Sequence, residues 1–181
     1  MGSGKSTLGK KIANRHNVAF IDLDAQVEQN DGMSIHEMFD QHGENFFRDK
    51  EAEALRSSEE QDSPFVCAAG GGTPCFMDNL TYMQENGTVV WVDPPLKMVV
   101  SRLANAKDRR PLLAGLEKEG IAQKLEQLME ERRYWYEQAD LRFDPAKDGL
   151  DTLIQELYLF QRSRNTWTVE SNMDVFLNSG G

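Results

Sequence analysis

Gly2-Ser3-Gly4-Lys5-Ser6-Thr7, leading into Leu8-Gly9-Lys10-Lys11-Ile12-Ala13, is the stretch on which the fold turns. It is the later part of the pattern G-x-x-x-x-G-K-[ST]. In that pattern glycines let the backbone curl until successive N–H groups and a helix amino end face a phosphate. Lys5 adds a mobile positive charge, and Ser6 offers a hydroxyl to a magnesium ion bridging the terminal phosphates of a nucleotide. Thr7 to His16 carries Leu8, Ile12 and Ala13 at helical spacing, and Ala19-Phe20-Ile21-Asp22-Leu23-Asp24 then reads as a short strand ending in carboxylates. The pattern's first glycine would lie five positions before Gly4, ahead of Met1, and the buried strand that should feed the loop is absent with it. A sheet lacking its first strand is therefore expected, as if the start were truncated.

Working outward, strand and helix signals alternate. Ser34-Ile35-His36-Glu37 is a capping box that starts a helix, Gly43 breaks the pattern, and a charged helix runs from about Glu44 to Glu60. Phe65-Val66-Cys67-Ala68-Ala69 is a continuous small apolar run of the kind found in a buried parallel strand, and it enters Gly70-Gly71-Gly72 directly. Helical residues from Asn79 to Glu85 stop at Gly87, Thr88 to Asp93 reads as a strand, and Leu96 to Ala104 is helical after Pro94-Pro95. A polar basic stretch from Asn105 to Arg110 precedes a long amphipathic helix, Glu117 to Glu137. Asp140 to Asp144 is the last expected strand, and Leu150 to Gln161 the closing helix. Such alternation predicts an α/β fold, a parallel sheet covered on both faces. Residues 162–181, rich in Ser, Asn, Thr and Gly, read as a loosely attached tail.

Composition narrows the function classes. The 181 residues suit one domain, and apolar runs are far below the ~20 residues needed to cross a bilayer. No secretory leader is visible, so a cytoplasmic protein is expected. A net charge of −10 argues against nucleic acid or an anionic membrane as partner, so an anionic ligand has to be captured by local positive charge. Cys67 and Cys75 lack the spacing of a disulfide framework or zinc site. His16, His36 and His42 are scattered among polar neighbours and are expected at the surface, and Trp91 and Trp135 are expected to pack.

The ordered set of motifs resembles the shikimate kinase family over residues 1 to about 161. Carrying the resemblance are Gly-Ser-Gly-Lys-Ser-Thr, Asp22-Leu23-Asp24, Phe47-Arg48 after Gly43-Glu44, Gly70-Gly71-Gly72, Arg110-Pro111-Leu112-Leu113, and Arg132 before Tyr136. Other small kinases share the phosphate loop but not this combination. The resemblance implies a three-layer α/β/α P-loop kinase with five parallel strands when complete, a lid at about 105–120, and ATP-dependent phosphorylation of shikimate with Mg2+. It implies that Gly2, Ser3, Gly4, Lys5, Ser6, Thr7 and Arg110 hold the nucleotide, and that Ser6 and Asp22 hold the metal. Asp24, Arg48, Gly71 and Arg132 would hold the substrate, with Lys5, Asp24 and Arg110 catalytic. Arg102 is expected near the adenine, while Asp144-Pro145-Ala146-Lys147-Asp148 departs from the family's adenine-side segment and leaves the base contacts there open. A monomer is expected. Alternatives are a gluconate-type or other small-metabolite kinase, or a non-catalytic nucleotide-binding remnant.

Overall fold

The computed structural model describes residues 2–58, 63–104, 117–164 and 175–179. In chain order they form α1 (Lys5–His16), β1 (Ala19–Asp22), α2 (Leu23–Asp31), α3 (Ile35–Ser57), β2 (Phe65–Ala68), a 3-10 turn (Thr73–Cys75), α4 (Asn79–Asn86), β3 (Thr88–Val92), α5 (Leu96–Ala104), α6 (Lys118–Tyr136), β4 (Leu141–Phe143), α7 (Leu150–Ser163) and β5 (Val175–Ser179). Ser34 caps α3 through a complete capping box, and that helix kinks at Gly43, where φ is 82°. The five strands pair in the order β1-β2-β5-β3-β4, every pair parallel.

The period-two alternation of a strand sorts its side chains onto two covered faces. Phe65, Cys67, Val89 and Phe176 pack with Leu23, Val27, Met38, Phe47 and Leu55 from α2 and α3. Val66, Val90, Val175 and Leu177 meet Ile12 and Ala13 of α1 and Leu153 and Leu157 of α7 on the other. A smaller cluster, Val99, Val100, Ile121 and Leu125, joins α5 to α6. Trp91 stacks on Tyr136 with centroids 5.7 Å apart, tying the sheet to α6.

Two expectations are corrected here. The sheet does not lack a strand: β5, from the segment read as a loose tail, lies between β2 and β3, with Cys67 and Val89 both opposite Phe176. Val175, Phe176, Leu177 and Asn178 are all buried. Burying a Val, Phe or Leu side chain is worth roughly 1.5–3 kcal/mol, so this strand is a major part of the core. The expected strand through Asp24 also ends earlier, because α2 begins at Leu23. Asp22 and Asp24 are therefore not on one strand face; one ends β1 and the other sits in the first turn of α2. The expected lid falls mostly on residues 105–116, outside the described residues, and only its final residues appear, as the start of α6.

Candidate functional site

The strands run in one direction, so their carboxyl ends share an edge, where open α/β sheets bind ligands. Gly4 takes φ +91°, a left-handed turn that favours glycine, and passes the chain into α1. The first helical bond, from the Leu8 N–H to the Gly4 carbonyl at 2.9 Å, leaves the N–H groups of Lys5, Ser6 and Thr7 without intrahelical acceptors. The first turn holds no acidic residue and instead carries a buried lysine. A cation at the positive end of a helix is the wrong choice for stability and the right one for binding an anion. Among the described residues no hydrogen bond or ion pair engages Lys5. The buried Ser3 hydroxyl is likewise unpaired among them. Arg102 braces the loop from outside, donating to the carbonyls of Gly2 and Ser3 at 3.1 Å each.

Ser6 donates its hydroxyl to the Asp22 carboxylate at 2.8 Å, although Asp22 occupies the cap position of α2 and could have served that helix instead. A hydroxyl and a carboxylate paired beside a phosphate loop are hard oxygen donors of the type magnesium takes, so the residues present fit that ion. Beyond the loop, a cavity of about 490 Å3 is lined by Ser3, Gly4, Thr7, Arg102, Phe143 and Pro145 among others. An arginine, an aromatic ring and a proline suit the faces of a planar heterocycle. Pro145 belongs to the segment whose base contacts the sequence left open.

The other half of the site is built from α2, α3 and the glycine run after β2. Arg48 is buried; its Nη1 donates to Glu51 at 2.8 Å, and its Nη2 and Nε donate to Glu44 at 2.8 and 3.2 Å. Its guanidinium lies over the rings of Phe47 and Phe76, 5.0 and 4.4 Å from their centroids. Burial alone would lower the Arg48 pKa, but Glu51 and Glu44 outweigh it and hold the group above its ordinary value. Among the described residues three of the five guanidinium N–H groups are engaged, so two can face a ligand. Glu51 also accepts from the Thr73 hydroxyl at 2.6 Å, and Asn79 donates to the Thr73 carbonyl at 3.0 Å, which fixes the glycine run against α3.

Glycine is required here by space. A Cβ on Gly72 would lie 2.6–2.9 Å from the Arg48 guanidinium, and one on Gly70 would lie 2.9 Å from Glu51 and 3.5 Å from Asp24. Gly72→Ala is expected to push Arg48 off its two carboxylates, because the guanidinium can make room for the Cβ only by giving up its bonds to Glu44 and Glu51. Such overpacking should cost about 1–3 kcal/mol of stability, which urea unfolding of the two proteins measures.

α6 closes this half. The Tyr136 hydroxyl donates to the Gly71 carbonyl at 2.6 Å, and Arg132 lies one turn earlier on the same face. Burial pushes the Cys75 thiol up to about 11, while Arg132 and then Arg48 pull it down, so both guanidinium groups lie near Cys75. Asp24 is close enough to disfavour charge on Glu51. The structure thus brings together Asp24, Arg48, Gly71 and Arg132, and separately Lys5, Ser6 and Asp22 with the loop. Arg110 lies outside the described residues. Glu51 and Thr73 were not singled out from the sequence, and Tyr136 served there only to mark Arg132; the Arg48–Glu51 spacing of three, one helical turn, was the available signal.

Residues 1–159 match the family model described as Shikimate kinase. The chain is 39% identical over 157 residues to a shikimate kinase of Sulfurihydrogenibium sp. (strain YO3AOP1), covering 87% of this chain and 90% of that one. It is 37% identical over 161 residues to one from Bacteroides fragilis, with 87% and 89% covered. The fold is similar to the crystal structure of shikimate kinase from Bacteroides thetaiotaomicron, with TM-score 0.75 and 33% identity over 91% of this chain and 94% of that one. It is also similar to the Acinetobacter baumannii shikimate kinase in complex with shikimate, with TM-score 0.76 and 28% identity over 93% and 91%.

Proposed function

Because this chain belongs to the shikimate kinase family, we propose that it transfers the γ-phosphoryl group of ATP to the 3-hydroxyl of shikimate, on the route to chorismate and the aromatic amino acids. What supports this reading is that Ser6 of the loop bonds Asp22, two residues before Asp24, at the edge where the glycine run after β2 holds Arg48, with Arg132 near Cys75, while Lys5 has no partner among the described residues. A substrate with one carboxylate and several hydroxyls needs a cationic fork for the acid and an acceptor for the hydroxyls.

Lys5 and the free N–H groups of α1 would hold the β- and γ-phosphates. Ser6 and Asp22 would hold magnesium, which when bound neutralises charge on those phosphates. Arg48 and Arg132 would take the substrate carboxylate, with Gly71 offering its backbone where a side chain would obstruct. Asp24 would accept the proton of the attacking hydroxyl or orient it. The role proposed for Arg110 is to contact the transferring phosphoryl group from a lid over the site, whose closure keeps water from competing as acceptor. A monomer is proposed, since one chain supplies every residue named. The cytoplasm is proposed as its place: neither Cys67 nor Cys75 forms a disulfide among the described residues, and no described helix is long and apolar enough to cross a membrane.

Arg132→Ala tests the substrate assignment. Removing one partner of a desolvated charge pair costs about 2–5 kcal/mol, hence roughly 30-fold or more in shikimate affinity. ATP saturation should be unchanged. A variant that binds ATP weakly and shikimate normally would sink the carboxylate-fork assignment.

A further inference from the structure

Arg48 is enclosed on several sides. Its N–H groups meet Glu51 and Glu44, Gly72 leaves no room for a Cβ beside it, and two aromatic rings lie against its guanidinium. The two rings differ in what else they touch. Phe47 is buried and packs in the cluster with Leu23, Met38 and Leu55. Phe76 is 38% exposed and, among the described residues, joins none of the three apolar clusters. The nearer of the two to the guanidinium is nevertheless Phe76, with 4.4 Å to its ring centroid against 5.0 Å for Phe47.

The chain after Phe76 is held in a turn that sets where this ring sits. Met77 and Asp78 take φ of 51° and 52°, a left-handed conformation that side chains other than glycine rarely adopt. Such backbone persists where neighbouring contacts over-determine it. Arg56 supplies them: its Nη2 donates to the Met77 carbonyl at 2.8 Å and its Nη1 to Asn79 Oδ1 at 2.9 Å. Asn79, fully buried, donates in turn to the Thr73 carbonyl at 3.0 Å, and the Thr73 hydroxyl donates to Glu51. One chain of bonds therefore fixes both a carboxylate partner of Arg48 and the turn that presents the ring. Cys75, next to Phe76, lies near both Arg48 and Arg132, so this turn adjoins both arginines of the substrate half. An aromatic face attracts a cation through its quadrupole and leaves free the guanidinium edge, where hydrogen bonds are made. We propose that Phe76 is a positioning residue for recognition of the substrate carboxylate: its ring holds the Arg48 guanidinium so that the N–H groups not engaged by Glu44 and Glu51 face the ligand. This rests on the carboxylate-fork reading above.

The test replaces Phe76 in the full chain with leucine, which keeps apolar bulk without a π face, and with tyrosine, which keeps the face. Phe76→Leu should raise shikimate KM about three- to fivefold, the effect of losing a partly exposed cation–π contact, with kcat and ATP KM at the parent's values. Phe76→Tyr should keep the parent's shikimate KM. A ring that serves only as packing would be replaced by leucine without loss. A Phe76→Leu protein with the parent's shikimate saturation, a Phe76→Tyr protein as impaired as Phe76→Leu, or a defect that falls equally on ATP overturns the proposal. Arg132→Ala, measured beside them, separates the two ways of failing. If Phe76→Leu is silent while Arg132→Ala loses shikimate affinity, only the role of Phe76 is wrong. If Arg132→Ala also saturates normally with shikimate, the carboxylate-fork reading itself has failed.

Discussion

Replacing Lys5 with methionine is expected to lower kcat by about two to three orders of magnitude while leaving the protein folded. In the ligand-free protein Lys5 is a buried cation with no partner among the described residues, so it contributes nothing favourable to stability there. Methionine of similar length removes an uncompensated charge, and the melting temperature should stay level or rise. The loss falls on the reaction, because an interaction with the phosphoryl oxygens grows as charge shifts onto them, and single donors of this kind are worth roughly 100- to 1,000-fold. ATP should also cease to raise the melting temperature; for an intact site at one hundred times Kd it adds about 2.7 kcal/mol. Stability and function at this position then move in opposite directions, as at a residue kept for binding. ADP release together with thermal melts, with and without ATP, checks both halves. Normal turnover in a folded Lys5→Met protein would remove the phosphate-loop assignment.

The second large effect is on the fold. Phe176 is 1% exposed, lies centrally in β5, and meets Phe65 edge to face with centroids 5.7 Å apart. Phe176→Ala should cost about 3–5 kcal/mol, a large share of the ~5–15 kcal/mol stability of a domain. For a chain of this size that is on the order of 10 °C in melting temperature. Urea unfolding measures it directly. A cost below 1 kcal/mol would mean that the last strand is not part of the core.

Most of the architecture was legible because hydrophobic period and caps agree locally. Phe65 to Ala68 and Val89 to Val92 are apolar runs whose shortness and flanking Gly70, Gly87 and Pro94 favour strands, and Ser34 with Glu37 marks the start of α3. β5 was not legible: three apolar residues, Val175 to Leu177, stand in a polar segment. Short apolar runs carry little information by themselves, and the place of this one depends on pairing with β2 and β3, which no local pattern reveals. α2 was hidden for the opposite reason. Ile21-Asp22-Leu23-Asp24 alternates like a strand, and only the burial of Leu23 and Val27, four apart, declares the helix.

The site divides in the same way. Glycines, a lysine and two aspartates in a fixed motif point to phosphate and metal chemistry from sequence alone, and Ser6 does reach Asp22. What holds Arg48 was not visible, because a glutamate in a charged helix usually lies on a solvated face. Glu51 is instead 1% exposed, locked between Arg48 and Thr73, and it keeps that arginine in one orientation.

Phosphorus-31 NMR of the product, with the full chain, ATP, magnesium and either shikimate or gluconate, tests the central claim most directly. The account predicts a new phosphomonoester resonance from shikimate, one equivalent for each ADP formed, and none from gluconate. A phosphorylated gluconate in its place, or ATP binding with no phosphomonoester from shikimate, would contradict it.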